Sequence, residues 1–249
     1  MADAEESGET AGPDFRPLYA QVRELMIRRM LDGAWRPGDI LPSEGRLAAE
    51  FGVSQGTVRK ALDDMAAQQL LVRRQGRGTF VAKHDHQRSL FHFFHIVAEG
   101  GDKELPSSRI LVVRLARAER EQTKLLALPP RSKVYDILRI RTLQDEAVIL
   151  ERIALPAALF ADFAVPVGVE LPDELYMLYQ QKYGVTIVRA KERLRAVAAD
   201  DFDASYLGVA VGTPLLEIDR VALSLDGVPV ERRVSRCNTL RHRYAVEVE

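Results

Sequence analysis

From Pro17 the apolar residues Leu18, Val22, Leu25, Met26 and Met30 recur every three or four positions, the spacing of one helical face. Pro17 suits the first turn, where its missing N–H is no loss, and Gly33 can end the helix. Arg36-Pro37-Gly38-Asp39 is turn chemistry. Ser43 can cap a short second helix to Phe51, with Leu47, Ala48 and Phe51 inward and Gly52 ending it. Ser54 can cap a third that runs to about Gln69, with Val58, Ala61, Leu62 and Met65 on one face. The stretch Leu71 to Val81 then folds back as a hairpin. Gly76 and Gly78 permit positive φ at its turn, and Arg73, Arg74 and Arg77 project from it. A helix, a helix-turn-helix and a basic hairpin make a winged helix.

Residues 109–248 carry one pattern twice. Leu126-Ala127-Leu128-Pro129-Pro130 precedes the alternating run Val134–Arg139, a Gln144-Asp145-Glu146 turn and Val148–Arg152. Eighty-one residues on come Leu207–Val211, Leu215–Arg220, a Leu225-Asp226-Gly227 turn and Val228–Arg232. Each copy predicts a short helix followed by a β-hairpin, and Asp226-Gly227 is a strong hairpin signal. The offset falls to eighty between Glu151 and Glu231, so the second turn region is expected to be one residue shorter. A helix at Asp173–Tyr183 and a strand at Val185–Ala198 lie between the copies. The chain therefore predicts an α+β fold: an N-terminal winged helix-turn-helix, then an α/β domain with a mostly antiparallel sheet.

The formal net charge of −1 over 249 residues conceals a segregation. Residues 1–15 hold five acids and no base, and read as a disordered tail. Residues 16–88 hold thirteen bases and eight acids, and residues 89–249 hold twenty-two and twenty-three. A basic winged helix is thus masked by an acidic tail. The expected domains are the tail at 1–15, a DNA-binding domain at 16–82, a polar linker at 83–90 and the second domain at 91–249. No apolar run approaches the roughly 18 residues of a membrane span. The acidic start is unlike a secretory signal, and the single cysteine, Cys237, excludes an internal disulfide. The expected compartment is the cytoplasm, with no membrane partner.

Ser54, Gln55, Gly56 and Thr57 are small or polar, and can enter the major groove at the amino end of the third helix. Gln55 can pair bidentately with adenine, and Arg59 can reach a guanine edge or a phosphate. Gly76 lets the hairpin backbone approach the sugar-phosphate, and Arg77 can lie in the minor groove. A plain helical subdomain with a solvated face would show much of the same pattern.

The motifs Leu41-Pro42-Ser43-Glu44, Phe51-Gly52-Val53-Ser54, Thr57–Leu62 and Arg74–Val81 resemble the GntR family of bacterial transcription regulators over residues 17–82. The resemblance implies DNA contacts at Arg46 (phosphate), at Ser54, Thr57 and Arg59 on the recognition helix, and at Gln75, Gly76 and Arg77 on the wing. The chain departs from that family at Gln55, where Arg is usual, and at Gly56, where a larger side chain is usual.

Residues 89–248 resemble the UTRA effector-binding domain of the HutC-like branch, a chorismate-lyase-like fold used as a small-molecule sensor. Pro106–Arg109, Arg139-Ile140-Arg141, Leu150-Glu151-Arg152, Tyr183-Gly184, Gly212–Leu215 and Asp226–Glu231 carry the likeness. Arg139 and Arg141 stand two apart on a strand and leave the same face. Strand spacing fits either a ligand anion between them or partner acids; the resemblance favours the anion. It also implies that Glu151 and Glu231 accept hydrogen bonds from ligand hydroxyl or amino groups, although either could instead pair with the arginines. Phe94 and His95 fall at its contact positions, Tyr176 at its pocket rim, and packing is the expected role of Phe93. Glu174 and Cys237 depart from the Ser and Tyr of sugar-phosphate binders, so the effector expected is a small anion or zwitterion.

The implied protein is a dimeric regulator, usually a repressor, on a pseudo-palindromic double-stranded DNA operator in the bacterial cytoplasm. No cofactor is expected. His84, His86, His92 and His95 cluster, but without metal-ligand spacing or accompanying carboxylates. An enzyme is the alternative suggested by the lyase-like fold, and a nonspecific nucleoid protein is a third reading.

Overall fold

A computed structural model describes residues 16–83, 93–100, 104, 106–172 and 175–246. The chain divides into two compact units between Ala82 and Lys83. The expected acidic tail, most of the linker, Glu174, and the histidines 84, 86 and 92 lie outside the described residues.

In the first unit, α1 (Leu18–Leu31), α2 (Glu44–Phe51) and α3 (Gln55–Ala67) precede strands β1 (Leu71–Arg74) and β2 (Gly78–Val81). Ser43 and Ser54 cap α2 and α3 by accepting from the backbone N–H of Arg46 and Thr57. Gly52 ends α2 in the left-handed conformation, which turns the chain sharply into α3. Val22, Met26, Leu47, Val58, Leu62 and Met65 interlock as the core. Ile40 bridges to Phe80 beside the hairpin. At Gly78, φ is +112° and a Cβ would stand 3.0 Å from Ile40 Cδ1, so only glycine fits.

The second unit contains β3 (Ile96–Ala98), β4 (Ser107–Arg117), α4 (Arg120–Leu125), β5 (Lys133–Leu143), β6 (Glu146–Pro156) and β7 (Glu170–Pro172). It continues with α5 (Leu175–Tyr183), β8 (Ile187–Ala198), α6 (Asp201–Leu207), β9 (Pro214–Ser224), β10 (Pro229–Asn238) and β11 (His242–Tyr244). Seven strands form one antiparallel sheet in the order β7-β4-β5-β6-β10-β9-β8, while β11 pairs with β3. The two copies of the repeat are the hairpins β5-β6 and β9-β10. They meet where β6 pairs with β10.

Two expectations need correction. The short helices end at Leu125 and Leu207, as α4 and α6, rather than running through Leu126–Pro130 and Leu207–Val211, and capping boxes start them at Glu119/Gln122 and Asp200/Asp203. Ala127 turns to φ 49° and two prolines follow, so a helix cannot run through that stretch. The second hairpin turn is longer, not shorter. Gln144 and Asp145 alone connect β5 to β6, whereas Leu225–Val228 connect β9 to β10, with a bulge at Pro229/Glu231 taking up the register.

One sheet face is covered by α5 and the segment around Phe160 and Phe163, with Ile137, Ile153, Leu155 and Ala222 beneath. On the other face α6 packs Leu207 against Leu150 and Leu215, and Leu126 packs on Val134 and Ala154.

Candidate functional site

The first unit presents Ser54, Gln55 and Gly56 exposed at the start of α3, with Thr57 half-buried behind them. The capping serine also shares a 2.9 Å hydrogen bond with the Thr57 hydroxyl. Arg59, one turn on, donates Nε and Nη2 to Glu44 Oε2 at 3.0 and 2.8 Å, and this bond raises its pKa. Gln55 Nε2 lies over Gly45, 2.7 Å from where a Cβ would stand. Arg46, Gln75, Gly76 and Arg77 are all exposed, and Gly76 adopts φ 69° at the hairpin tip. This unit thus combines an open helix amino end with a glycine-tipped basic hairpin, the parts that groove and backbone contacts require.

In the second unit, strand alternation sends Arg139, Arg141, Glu151, Arg220, Glu231, Arg233 and Ser235 to one face, and all are buried. Arg139 stands opposite Glu151, and Glu151 opposite Ser235, in one row across β5, β6 and β10. Glu151 Oε2 accepts from Arg139 Nε and Nη2 at 2.8 and 2.6 Å, and Oε1 from Ser235 Oγ at 2.9 Å and Arg141 Nη1 at 3.3 Å. Burial alone would raise the Glu151 pKa. Attraction from Arg139, Arg233 and Arg141 outweighs it and holds the carboxyl well below the usual carboxylate range.

Glu231 is engaged differently. Its Oε1 accepts from Arg233 Nε (3.0 Å) and Tyr176 OH (3.1 Å), and its Oε2 from Arg233 Nη2 (2.9 Å) and Tyr179 OH (2.8 Å). Burial, reinforced by the Glu231 charge, pushes the Tyr176 phenol up to about 12. Arg220 donates Nε to Glu192 and Nη2 to the Phe93 carbonyl, both at 2.5 Å. The Arg141 guanidinium lies 4.4 Å from the centroid of the Phe94 ring. Phe93, Phe94, Arg141, Leu175, Tyr176, Arg220 and Arg233 line a cavity of about 20 Å³. That is room for about one water.

Both readings of the arginine pair thus meet at one place. Arg139 is fully buried against Glu151 and acts as a strut, whereas Arg141 lines the cavity. Glu151 partners these arginines, and Glu231 partners Arg233. Phe93 both packs and lines the cavity, forming an edge-on contact with Tyr176 at 5.1 Å. His95 sits beside Tyr244, 5.2 Å between ring centroids, and Tyr244 donates to Glu192. Sequence reasoning missed Arg220, Arg233, Tyr179 and Ser235. The alternation that singled out Arg139 and Arg141 runs equally from Glu231 through Arg233 and Ser235, and would have found two of them.

Residues 18–81 match the family described as bacterial regulatory proteins, gntR family, and residues 102–243 match the UTRA domain. The chain belongs to the GntR family. Its combination of domains is that of the HutC-like branch.

Among relatives of this GntR regulator, the transcriptional repressor NagR of Bacillus subtilis is 29% identical over 220 residues, 88% of this chain and 89% of that protein. The histidine utilization repressor of Klebsiella aerogenes is 32% identical over 148 residues, 59% of this chain and 61% of that protein. The ligand-binding domain of a putative GntR-family regulator from Bordetella bronchiseptica superposes with a TM-score of 0.58 at 28% identity, covering 64% of this chain and 99% of that one. PhnF of Mycobacterium smegmatis shares the fold at a TM-score of 0.54 and 24% identity, over 92% of this chain and 99% of that one. These named relatives are regulators rather than enzymes, and no described helix is long and apolar enough to cross a membrane.

The opposite face of the UTRA sheet carries a larger groove, about 280 Å³, between α4 and α6. Among its arginines, Arg232 pairs with Glu121 and Asp219, while Arg152 lies 5.3 Å from the centroid of the Phe202 ring. Among the described residues no set of His, Cys, Asp or Glu is arranged to hold a metal ion.

Proposed function

We propose that this GntR-family protein is a dimeric cytoplasmic repressor of a pseudo-palindromic operator, with its DNA affinity governed by a small anionic or zwitterionic metabolite in the UTRA domain. The observation that carries the effector reading is the convergence of Arg141, Arg220 and Arg233 on one aromatic-walled cavity. Buried guanidiniums side by side repel one another, and an acidic ligand compensates them with paired, charge-assisted hydrogen bonds. Phe94, His95 and Tyr176 would bound that ligand, with Arg139, Glu151 and Glu231 holding its frame. Glu174 stays a candidate contact on the strength of the resemblance. The names of the relatives NagR and histidine utilization repressor support repression as the sign of control.

On the DNA side, Ser54, Gln55, Thr57 and Arg59 would read the major groove, Arg46 would hold a phosphate, and Gln75, Gly76 and Arg77 would track the backbone and minor groove. A two-fold protein requires a two-fold site, so the two half-sites lie about one helical turn apart, or a multiple of it. To release the operator, the metabolite must bind the off-DNA arrangement better, by a coupling of about 1–3 kcal/mol.

Selection of bound sites from random double-stranded DNA with the full chain tests this reading. A recovered motif with inverted half-sites is the expected result. Binding with steep salt dependence and no recovered motif would instead mark a nonspecific DNA-coating protein.

A further inference from the structure

The cations of the winged-helix unit are unevenly answered by its own acids. Residues 16–83 hold twelve basic and seven acidic side chains, a surplus of five. Five of the acids, Glu24, Glu44, Glu50, Asp63 and Asp64, are already paired with arginines. Arg46 on α2, Lys60 on α3, and Arg74 and Arg77 on the hairpin are exposed and form no ion pair among the described residues. The uncompensated charge therefore lies on the elements that carry the DNA-reading residues.

The start of α1 is fastened beside this face. Tyr19, in the first turn of α1, has its ring centroid 4.3 Å from Lys60 Nζ, and Arg23 pairs with Asp64 of α3 at 2.9 Å. The chain before α1 thus joins the unit next to the recognition helix. That stretch, residues 1–15, carries Asp3, Glu5, Glu6, Glu9 and Asp14 and no basic side chain, five negative charges against the surplus of five. Fifteen residues reach at most about 50 Å, more than the ~30 Å across a small domain. A segment tethered in this way meets its own protein at an effective concentration of about millimolar, so a weak attraction is enough to occupy the face.

We propose that residues 1–15 dock on the cationic face of α3 and the hairpin and compete there with DNA, as a polyanion built into the chain. The proposal rests on that face being the one that binds DNA. Phosphates must displace the segment before Arg46, Lys60 and Arg77 can meet them, so duplexes of any sequence bind more weakly. Salt sets the size of the effect. Screening loosens these exposed contacts as ionic strength rises, so the competitor is strongest in dilute salt and fades towards about 0.3 M. The segment thereby flattens the steep salt dependence that phosphate contacts alone would give.

Three proteins test this: the full chain, the chain from Arg16 onward, and the full-length chain carrying Asp3→Asn, Glu5→Gln, Glu6→Gln, Glu9→Gln and Asp14→Asn. Each is titrated with a random-sequence DNA duplex between about 0.05 and 0.3 M salt. Both altered proteins are expected to bind about ten-fold tighter than the full chain in dilute salt, with the gain vanishing at the top of the range and a steeper plot of log affinity against log salt. Carbodiimide, which couples a carboxylate to a nearby amine, is expected to join residues 1–15 to Lys60 in the full chain, and excess duplex to abolish that link. Unchanged or weaker binding after both alterations overturns the inference. Tighter binding on truncation alone overturns it too, since charge would then not be the cause. Tighter binding without the Lys60 link replaces docking by long-range repulsion. No binding by any of the three in dilute salt overturns the reading of the DNA face and the inference with it.

Discussion

Arg59 of α3 and Glu44 of α2, fifteen positions apart in sequence, are joined by two hydrogen bonds from one guanidinium to one carboxylate oxygen. The pair is largely exposed on the arginine side, so it contributes little to folding but fixes where the guanidinium points. It also sets an anion beside the residue that would meet DNA. Glu44→Gln should therefore tighten operator binding several-fold at unchanged melting temperature. Arg59→Ala should abolish selective binding and leave effector-induced stabilisation intact. Loss of both in Arg59→Ala would contradict two separable modules.

Gln55 rests where a side chain at Gly45 would stand. Gly45→Ala should displace the Gln55 amide and change the preferred base at one position of each half-site. Comparing motifs selected by the two proteins reads this directly. An unchanged motif would mean that Gln55 does not read a base.

Glu151 is the anion shared by the buried arginines of the UTRA domain. Removing one partner of a buried ion pair leaves uncompensated charge, typically costing about 3–5 kcal/mol. Glu151→Gln should lose stability of that order in denaturant unfolding, and more than Glu121→Gln, whose carboxylate is exposed.

The same carboxylate sets a pH dependence with a definite sign. Its folded pKa is held below the unfolded value, so it stabilises the fold above about pH 4.3 and loses that contribution as pH falls. The UTRA melting temperature should therefore fall below about pH 5. In Glu151→Gln the fall should be shallower by about one proton's linkage, measured as the slope of unfolding free energy against pH.

Cys237 is fully buried, and burial, aided by the nearby Glu151 charge, pushes its thiol well up. It should resist iodoacetamide at neutral pH in the folded protein and react when denaturant unfolds the UTRA domain. Fast labelling without denaturant would show that this strand opens.

The first unit was legible because its signals are local. Serines before apolar faces, Gly52 between two short helices, and two glycines in a basic hairpin each act within a few residues. In the second unit alternation correctly put Arg139 and Arg141 on one face. It could not say which acid would meet which arginine, because partners such as Glu151 and Ser235 are eighty-four residues apart. Arg233 was lost among neighbouring charges. The helix starts at Glu119 and Asp200 were passed over although their capping-box residues were in view. Apolar Leu126–Pro130 and Leu207–Val211 drew attention one turn too late.

The meeting of β6 with β10 gives the internal repeat a meaning that counting its copies does not. Glu151 belongs to the first copy, yet Ser235 and Arg233 of the second both reach it. Arg139 and Arg141 of its own hairpin balance the charge of that carboxylate, and Ser235 and Arg233 tie the second hairpin to it. A change at Glu151 is therefore felt in both copies of the repeat at once.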